Sequence, residues 1–360
     1  MRTRVVHVAS GREWRGGQRQ VWLLARELAR LGDVEQVVVT GRGSELAVRL
    51  HRDGVPVRSV RWSAGLDPRV LPGLVAELRQ SPAMVHAHDG HALTLAGIGA
   101  GLTGRPLIVT RRVQFHLRRR GFWTTAARVI AVSRAVADVV VADGVRADRV
   151  IVVHSGISPE EIRGTERLGV RARLGLAPDV TIAASVGALE SNKDHATLIR
   201  AAARLAHAYR SLHWVIAGEG PMRSALERLA RELDLSHRVH LIGHLDEPAR
   251  LVADADLFIM SSREEGLGTS VLEAMVLGIP VASTAAGGLP EMLQDGAGVL
   301  APPGNPDALA GAVARLLSEP GLARSVVDRA SLAVQEFTAA RMAAAVRSVY
   351  RSCAHSFDGS

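Results

Sequence analysis

The stretch "SSREEGLGTSVLEAMVLGIP", residues 261–280, decides how the rest of the chain is interpreted. It joins a predicted strand to a predicted buried helix through a glycine-rich turn, with Glu265 and Glu273 on either side of that turn. Backbone amides at a helix start, together with the positive end of the helix, favour an anionic or polyhydroxyl ligand. Ser270 and Glu273 also spell a capping box, which is a purely structural alternative for Glu273. That alternative leaves Glu265 and the turn unexplained.

Beyond this stretch, short β-branched runs alternate with helical patterns along all 360 residues, which is typical of parallel α/β layers. Thirteen strands are predicted to begin near Arg4, Glu35, Val55, Ala83, Pro106, Arg128, Arg149, Thr181, Leu212, Arg238, Ala255, Pro280 and Ala297. We therefore predict two doubly wound, Rossmann-like α/β domains, formed by residues 1–155 and 170–338 and joined by a hinge at 156–169. Residues 339–360 are expected to form a helix and tail that pack back on the first domain. Such sheets bind ligands at the carboxyl ends of their strands, so a cleft between the domains is the expected site.

Four motifs follow predicted strands: "ASGREWRGG", "HAHDG", "GALESNKDH" and "SSREEGLG". In the first motif, Gly16 and Gly17 open a helix, which suggests phosphate binding, although a tight turn would also explain them. The dinucleotide spacing G-x-G-x-x-G is not found there, which disfavours a nicotinamide enzyme. Of the 44 Lys and Arg residues, Lys193 is the single lysine, and it stands just before a predicted helix. A compact ammonium at that place suits a diphosphate, and the alternative is a solvated surface lysine.

Metal binding is not expected. His86 and His88 alternate on a predicted strand, but no further His or Cys cluster completes a coordination sphere, so one of them is interpreted as a hydrogen-bonding residue at the edge of the cleft and the other as a packed residue. Asp254 and Asp256 form an Asp-x-Asp pair at the start of a strand, where a helix-to-strand connection explains them better than a metal site. The single cysteine, Cys353, is far from every motif.

The net charge of +8 suggests anionic partners, but aromatic residues at 3% leave few stacking platforms, so nucleic acid is not expected. No apolar stretch approaches the length of a membrane span, and we expect a cytoplasmic protein. The segment "RRVQFHLRRRGFW", residues 111–123, places five arginines among Phe115, Leu117, Phe122 and Trp123. It is predicted either to contact an anionic acceptor or the inner face of an anionic membrane, or simply to be a solvated loop.

Together these motifs resemble retaining glycosyltransferases of the GT-B fold, in particular family 4. The resemblance covers nearly the whole chain, and its most specific element is Glu-x7-Glu at Glu265 and Glu273. It implies that Glu265 holds hydroxyls of the donor sugar and that Glu273 holds the ribose. It also implies that Lys193 neutralises the leaving diphosphate. The remaining donor-binding residues that it implies are Gly266, Leu267, Gly268 and Thr269 around the sugar and phosphates, with Gly16 and Gly17 from the first domain.

The resemblance implies a hexosyltransferase that acts on a nucleoside diphosphate sugar and a glycan or lipid-linked acceptor, with retention and without a metal ion or other cofactor. Assembly of cell-envelope glycans is the expected role. Other enzymes of the same fold, such as a sugar-nucleotide epimerase, and a non-catalytic sugar-nucleotide-binding protein are the alternatives.

Two residues depart from the family pattern. Ala188 stands where an arginine is frequent, and Arg112 stands where many members have a histidine near the reacting sugar. His88, the predicted catalytic residue of the first domain, or His116 would replace that histidine, or Arg112 would bind an anionic acceptor.

Overall fold

The computed structural model describes residues 3–63, 65–117 and 121–358. The chain divides into two compact units, one formed by Met1–Gly156 with Thr338–Ser360 and the other by Ile157–Phe337. Most of the segment expected to be a hinge therefore belongs to the second unit, where it includes a short helix at Pro159–Arg163.

The thirteen strands are β1 Thr3–Ala9, β2 Val34–Gly41, β3 Val57–Val60, β4 Ala83–Ala87, β5 Leu107–Arg111, β6 Arg128–Ala131, β7 Val150–Val152, β8 Thr181–Val186, β9 Leu212–Ala217, β10 Val239–Gly243, β11 Leu257–Met260, β12 Val281–Thr284 and β13 Val299–Ala301. The α-helices are α1 Gly16–Leu31, α2 Glu45–Arg52, α3 Leu71–Arg79, α4 Gly90–Thr103, α5 Gly121–Thr125, α6 Arg134–Ala142, α7 Pro159–Arg163, α8 Val170–Arg173, α9 His195–Leu205, α10 Arg223–Glu232, α11 Ala249–Val252, α12 Thr269–Val276, α13 Leu289–Leu293, α14 Pro306–Ser318, α15 Pro320–Ala333 and α16 Ala339–Asp358.

The first unit contains a seven-stranded parallel sheet in the order β3-β2-β1-β4-β5-β6-β7. Helices α1 and α16 pack against each other and against one face of this sheet, where Val5 of β1 and Ile108 of β5 meet Val346 and Tyr350 of α16. Burial of these apolar side chains holds the last helix of the chain on a domain whose other elements lie at the start of the chain.

The second unit contains a six-stranded parallel sheet in the order β10-β9-β8-β11-β12-β13. Its core is built around Trp214 of β9, Ile259 of β11 and Leu198 of α9, all of which are buried. Because β8 and β11 are neighbours and parallel, the loops that follow them leave the sheet side by side. The two parallel sheets confirm the predicted α/β fold class, and each of the thirteen predicted strands is present. None of the helices in the described part of the chain combines the length and the hydropathy of a membrane span.

A chain of hydrogen bonds between polar side chains runs through the core of the first unit. His7 and His86 are direct partners in the pairing of β1 with β4, and both are completely buried. The Nδ1 atom of His7 lies 2.9 Å from Nε2 of His88, and His86 contacts the Tyr350 hydroxyl at 2.6 Å and the Thr110 hydroxyl at 2.7 Å. Hydrogen bonds within the cluster offset part of the cost of burying these polar groups.

Burial keeps the three histidines neutral. It lowers the pKa of His7 to about 3, and it lowers the pKa values of His86 and His88 well below the ordinary value. Because the charged form of each imidazole is disfavoured in the folded chain, protons bind preferentially to the unfolded chain.

We predict that acid destabilises the first unit. The unfolded chain binds protons on its histidines below about pH 6.5 while the folded chain does not, so unfolding free energy is lost as the pH falls below that value. Each buried histidine adds a slope of about 1.4 kcal/mol per pH unit. Urea unfolding between about pH 7 and about pH 5 measures this slope. His86→Gln should reduce the slope by the contribution of one bound proton. The control His91→Gln, at an exposed position in α4, should leave the slope unchanged. An equal slope in the wild-type protein and in His86→Gln would contradict the assignment.

A second prediction concerns the place where α16 begins. Gly156 exchanges two hydrogen bonds with the Gln20 side chain, and a Cβ atom on Gly156 would lie 2.6 Å from backbone atoms of Thr338 and Ala339. Gly156→Ala should therefore destabilise the first unit by about 1 to 3 kcal/mol, measured as a lower urea midpoint. The matched control is Gly101→Ala in α4, where a Cβ atom would meet open space among the described residues, and it should be neutral or stabilising. If both variants unfold at the wild-type midpoint, the contact is not tight.

Candidate functional site

In the second unit, the loops that follow β8 and β11 are bonded to each other through their backbones. The amides of Arg263 and Glu264 donate to the Asn192 carbonyl at 2.8 and 3.3 Å, and the Ser261 hydroxyl donates to the Lys193 carbonyl at 3.0 Å. Two segments that are about 70 residues apart in sequence are thereby fixed at one edge of the sheet.

These contacts bring two of the predicted site residues together. The Lys193 ammonium lies 2.5 Å from Oε2 of Glu265, and the two side chains are 21% and 10% exposed. The Ser262 hydroxyl donates to the same carboxylate oxygen at 3.1 Å, and the amide of Gly288 donates to the Glu265 carbonyl at 3.1 Å. Glu265 is therefore anchored through both its side chain and its backbone, and the single lysine of the chain is an anchored part of the strand-end loops.

Sequence reasoning missed a second ion pair at this place. Asp194 adopts a left-handed conformation with φ of 45° and accepts hydrogen bonds from the Thr197 amide and hydroxyl, which caps α9. Arg263 donates to the same carboxylate at 2.6 Å. The cap orients the residue next to Lys193, and the sequence signal for it is a short Asp-to-Thr spacing at the start of a helix.

The beginning of α12 differs from the prediction. The helix starts at Thr269 and follows Gly268, which has φ of 90° and ψ of 61°, so Ser270 lies inside the helix and cannot be the cap of a capping box. The Ser270 hydroxyl instead faces the Val186 carbonyl at 3.5 Å. A Cβ atom at Gly268 would lie 2.7 Å from Leu289, so this position requires glycine for two reasons. The capping box that would have explained Glu273 structurally is therefore wrong. Glu273 itself is only 2% exposed.

His195, the first residue of α9, was not singled out from the sequence. It is 3% exposed, and its Nδ1 atom has no hydrogen-bond partner among the described residues. Burial, together with the charge of Lys193, lowers the pKa of His195 to about 4. A neutral imidazole therefore lies beside Lys193.

In the first unit, Gly16 and Gly17 are the first two residues of α1. No side-chain hydrogen bond caps this helix at Arg15, and Cβ atoms at either glycine would meet open space among the described residues. The start of this helix therefore has no side-chain cap and has open space beside both glycines, as phosphate binding would require.

His88, the predicted catalytic residue of this unit, is 5% exposed and directly follows β4. Besides its contact with His7, its carbonyl accepts a hydrogen bond from Arg112 at 2.7 Å, and its Nδ1 lies 3.3 Å from the same guanidinium. His116, the alternative to His88, is exposed and pairs with Asp143 at 2.8 Å.

The third histidine of the cluster, His7, was also missed, because its partnership with His86 depends on the pairing of β1 with β4. Nitrogen atoms of His7, His86 and His88 come within 4.8 Å of one another, a grouping that could hold a metal ion. However, both nitrogens of His86 already bond to Tyr350 and Thr110, and the Arg112 guanidinium lies against His88. A divalent cation would therefore have to displace these bonds beside the positive charge of Arg112.

The Asp-x-Asp pair has a structural role. Asp254 accepts from the Val170 amide at 2.9 Å, and Asp256 accepts from the Ile182 amide at 2.8 Å and pairs with Arg171. These carboxylates fix the entry of β11 at the start of the strand, as the sequence indicated.

The arginine-rich segment presents less apolar surface than expected. Arg118, Arg119 and Arg120 lie outside the described residues. Trp123 is buried, and Phe122 occupies the space beside Gly97 of α4, so both rings pack within the first unit. Phe115 remains 43% exposed.

Comparisons with known proteins identify the relatives of the chain. The family model described as "Glycosyl transferases group 1" matches residues 169–332, and "Glycosyltransferase Family 4" matches residues 14–161. The 2-deoxystreptamine glucosyltransferase of Streptomyces kanamyceticus is 31% identical over 347 residues, which cover 84% of this chain and 90% of that protein. A D-inositol 3-phosphate glycosyltransferase of Mycolicibacterium paratuberculosis is 37% identical over 194 residues, 51% of this chain and 43% of that protein. The match spans about half the length of this relative and of several other curated relatives.

Solved structures show the same architecture. HepE of Anabaena in complex with UDP-glucose has a TM-score of 0.83 at 20% identity, with 97% of this chain and 99% of that chain covered. A glycosyltransferase from Rickettsia africae has a TM-score of 0.84 at 18% identity, with 98% of both chains covered. From the family models, the full-length relative and the two Rossmann-like units, we conclude that the chain belongs to the family 4 glycosyltransferases and has the GT-B fold.

Proposed function

We propose that the protein transfers a hexosyl group from a nucleoside diphosphate sugar to a glycan or lipid-linked acceptor, with retention at the anomeric carbon and without a bound metal ion. The observation that carries this proposal is the Lys193 to Glu265 contact of 2.5 Å at the ends of β8 and β11. A fixed cation and a fixed carboxylate side by side suit a ligand that joins a diphosphate to a polyhydroxyl sugar.

In this proposal Lys193 stabilises the leaving diphosphate. An ammonium carries three N–H donors, so Lys193 can donate to Glu265 and to a phosphate oxygen together. The start of α9, and that of α12 with the amides of Gly266, Leu267, Gly268 and Thr269, add positive potential where negative charge develops. Arg263 and Asp194 hold the lysine-bearing turn in place.

Glu265 would accept hydrogen bonds from sugar hydroxyls, and Glu273 would accept them from the ribose. The anomeric carbon loses its bond to the diphosphate oxygen and gains a bond to the acceptor oxygen on the same face, while the acceptor proton passes to the leaving phosphate. Support for such a donor comes from HepE, whose structures contain UDP and UDP-glucose. Gly16 and Gly17 would supply further amides to the diphosphate.

The proposal extends to a peripheral contact with an anionic membrane through the segment after β5. Val113 and Phe115, which are 39% and 43% exposed, would supply the apolar contact, while the buried Trp123 would not.

The donor-site assignment predicts distinct effects for three carboxylate and amine variants. Glu265→Gln and Lys193→Met should lower kcat by roughly 100-fold or more, because each removes a group that acts on the reacting sugar or leaving group. Glu273→Gln should instead weaken nucleoside diphosphate binding by roughly 10- to 150-fold. Calorimetry with UDP, ADP and GDP, together with donor turnover, separates these effects. The control is Glu264→Gln at an exposed neighbouring position, which should behave as wild type. Unchanged turnover in Glu265→Gln would refute the assignment.

Chelation gives an independent prediction. Since Asp254 and Asp256 are committed to backbone amides and Arg171, donor turnover should persist in excess EDTA. A loss of turnover that magnesium or manganese restores would show that the diphosphate is neutralised by a metal ion instead of by Lys193.

A further inference from the structure

Arg112 is a half-buried cation anchored on the first unit. It directly follows β5, its guanidinium donates to the His88 carbonyl at 2.7 Å, and a second nitrogen lies 3.3 Å from His88 Nδ1. Its Nε atom is buried and has no hydrogen-bond partner among the residues that the structure describes. The guanidinium is thus held in one orientation with a donor left over.

The charge of Arg112 also lacks a close counter-ion. No carboxylate in the described part of the chain lies within 4.0 Å of it, and Asp89, the acidic group that acts on it at longer range, is already committed. Asp89 accepts from the Ser10 amide and hydroxyl at 2.7 and 2.5 Å and from the Ala92 amide at 2.9 Å. Burial lowers the pKa of Arg112 to about 10, so the side chain remains charged at neutral pH. A partly desolvated cation without a close counter-ion is stabilised when an anion approaches it.

The histidines around Arg112 cannot supply that anion. A guanidinium only donates, so His88 Nδ1 must be the acceptor, His88 Nε2 must carry the proton, and that proton is donated to Nδ1 of His7. The chain of neutral imidazoles therefore fixes the direction of the guanidinium without balancing its charge.

The neighbouring arginine shows the contrast. Arg111 donates to the Val113 and Phe115 carbonyls, and its guanidinium lies 5.2 Å from the centre of the Trp123 ring. Its donors hold its own loop, whereas two donors of Arg112 hold His88 and its Nε has no partner among the described residues.

We propose that Arg112 binds an oxyanion, a phosphate or a carboxylate, that the glycosyl acceptor carries, with His88 as the residue that positions it. This inference rests on the proposed function. The planar fork of a guanidinium matches both oxyanions through two parallel hydrogen bonds, and burial strengthens such a pair. The acceptor would accordingly be selected for a negative charge.

The experiment uses the full chain and inorganic phosphate and acetate as minimal probes at constant ionic strength. All variants are made in a Lys193→Met background, so that phosphate cannot report on the donor diphosphate site. Arg112→Gln should weaken binding of the preferred probe tenfold or more, and Arg112→Lys, which keeps the charge but loses the fork, should weaken it by a smaller factor. The control Arg42→Gln removes an exposed arginine that follows β2 at the same edge of the sheet, and it should change nothing.

His88→Gln tests the positioning role. It should weaken probe binding while the thermal midpoint of the variant in the absence of probe stays comparable to that of Arg112→Gln. If Arg112→Gln misfolds, the comparison between Arg112→Lys and Arg42→Gln still decides the result. Equal probe affinity in all arginine variants would overturn the site.

The source of the oxyanion is resolved by UDP affinity in the chain with Lys193 intact. If Arg112→Gln leaves UDP affinity unchanged, the oxyanion belongs to the acceptor. If it weakens UDP binding as much as phosphate binding, the oxyanion belongs to the donor, and the acceptor assignment is overturned. Failure of the proposed function itself has a different signature, namely unchanged donor turnover in Glu265→Gln.

Discussion

The parallel pairing of β8 with β11 is the constraint on which the candidate donor site depends. It places the ends of two strands together, and the backbone bonds to Asn192 then fix the loops so that Lys193 meets Glu265 across 72 residues of sequence. Neither residue could hold this position by local structure alone. The lysine sits on a short turn whose orientation depends on Asp194 and Arg263, and Glu265 is held by Ser262 and Gly288. The pairing of β8 with β11 and the bonds between the loops that follow them therefore determine the geometry of the Lys193–Glu265 pair.

Both units remove polar side chains from water, but the electrostatic result differs between them. In the second unit, opposite charges are paired and partly exposed, so their fields remain available to a ligand. In the first unit, burial keeps three histidines neutral, and a single guanidinium remains charged among them. The low local dielectric makes that charge effective over a longer range than it would have at the surface.

The sequence predicted the fold well because parallel strands buried on both faces appear as short β-branched runs, and every such run is a strand in the structure. Lys193 and Glu265 were found because each belongs to a motif that follows such a run. Lys193 is the single lysine and precedes a predicted helix, and Glu265 begins the Glu-x7-Glu pair. His7 was missed, since inside the run "RVVHV" it looks like an ordinary strand residue and only the register with β4 gives it partners. The capping box failed because one residue, Gly268, takes a left-handed conformation and moves the helix start. The register of β1 with β4 and the backbone angles of Gly268 both depend on tertiary contacts, which cannot be inferred from a single sequence.

The return of α16 to the first unit has a consequence for how the chain is made. Residues 157–337 form a contiguous unit that can complete its core as soon as they leave the ribosome. The first unit cannot, because the apolar face that Tyr350 and Val346 cover stays open until the last helix is synthesised. One apolar face of its sheet remains uncovered while residues 157–337, about half of the protein, are synthesised. The order of synthesis therefore lets residues 157–337 complete their core before the amino-terminal unit can complete its own.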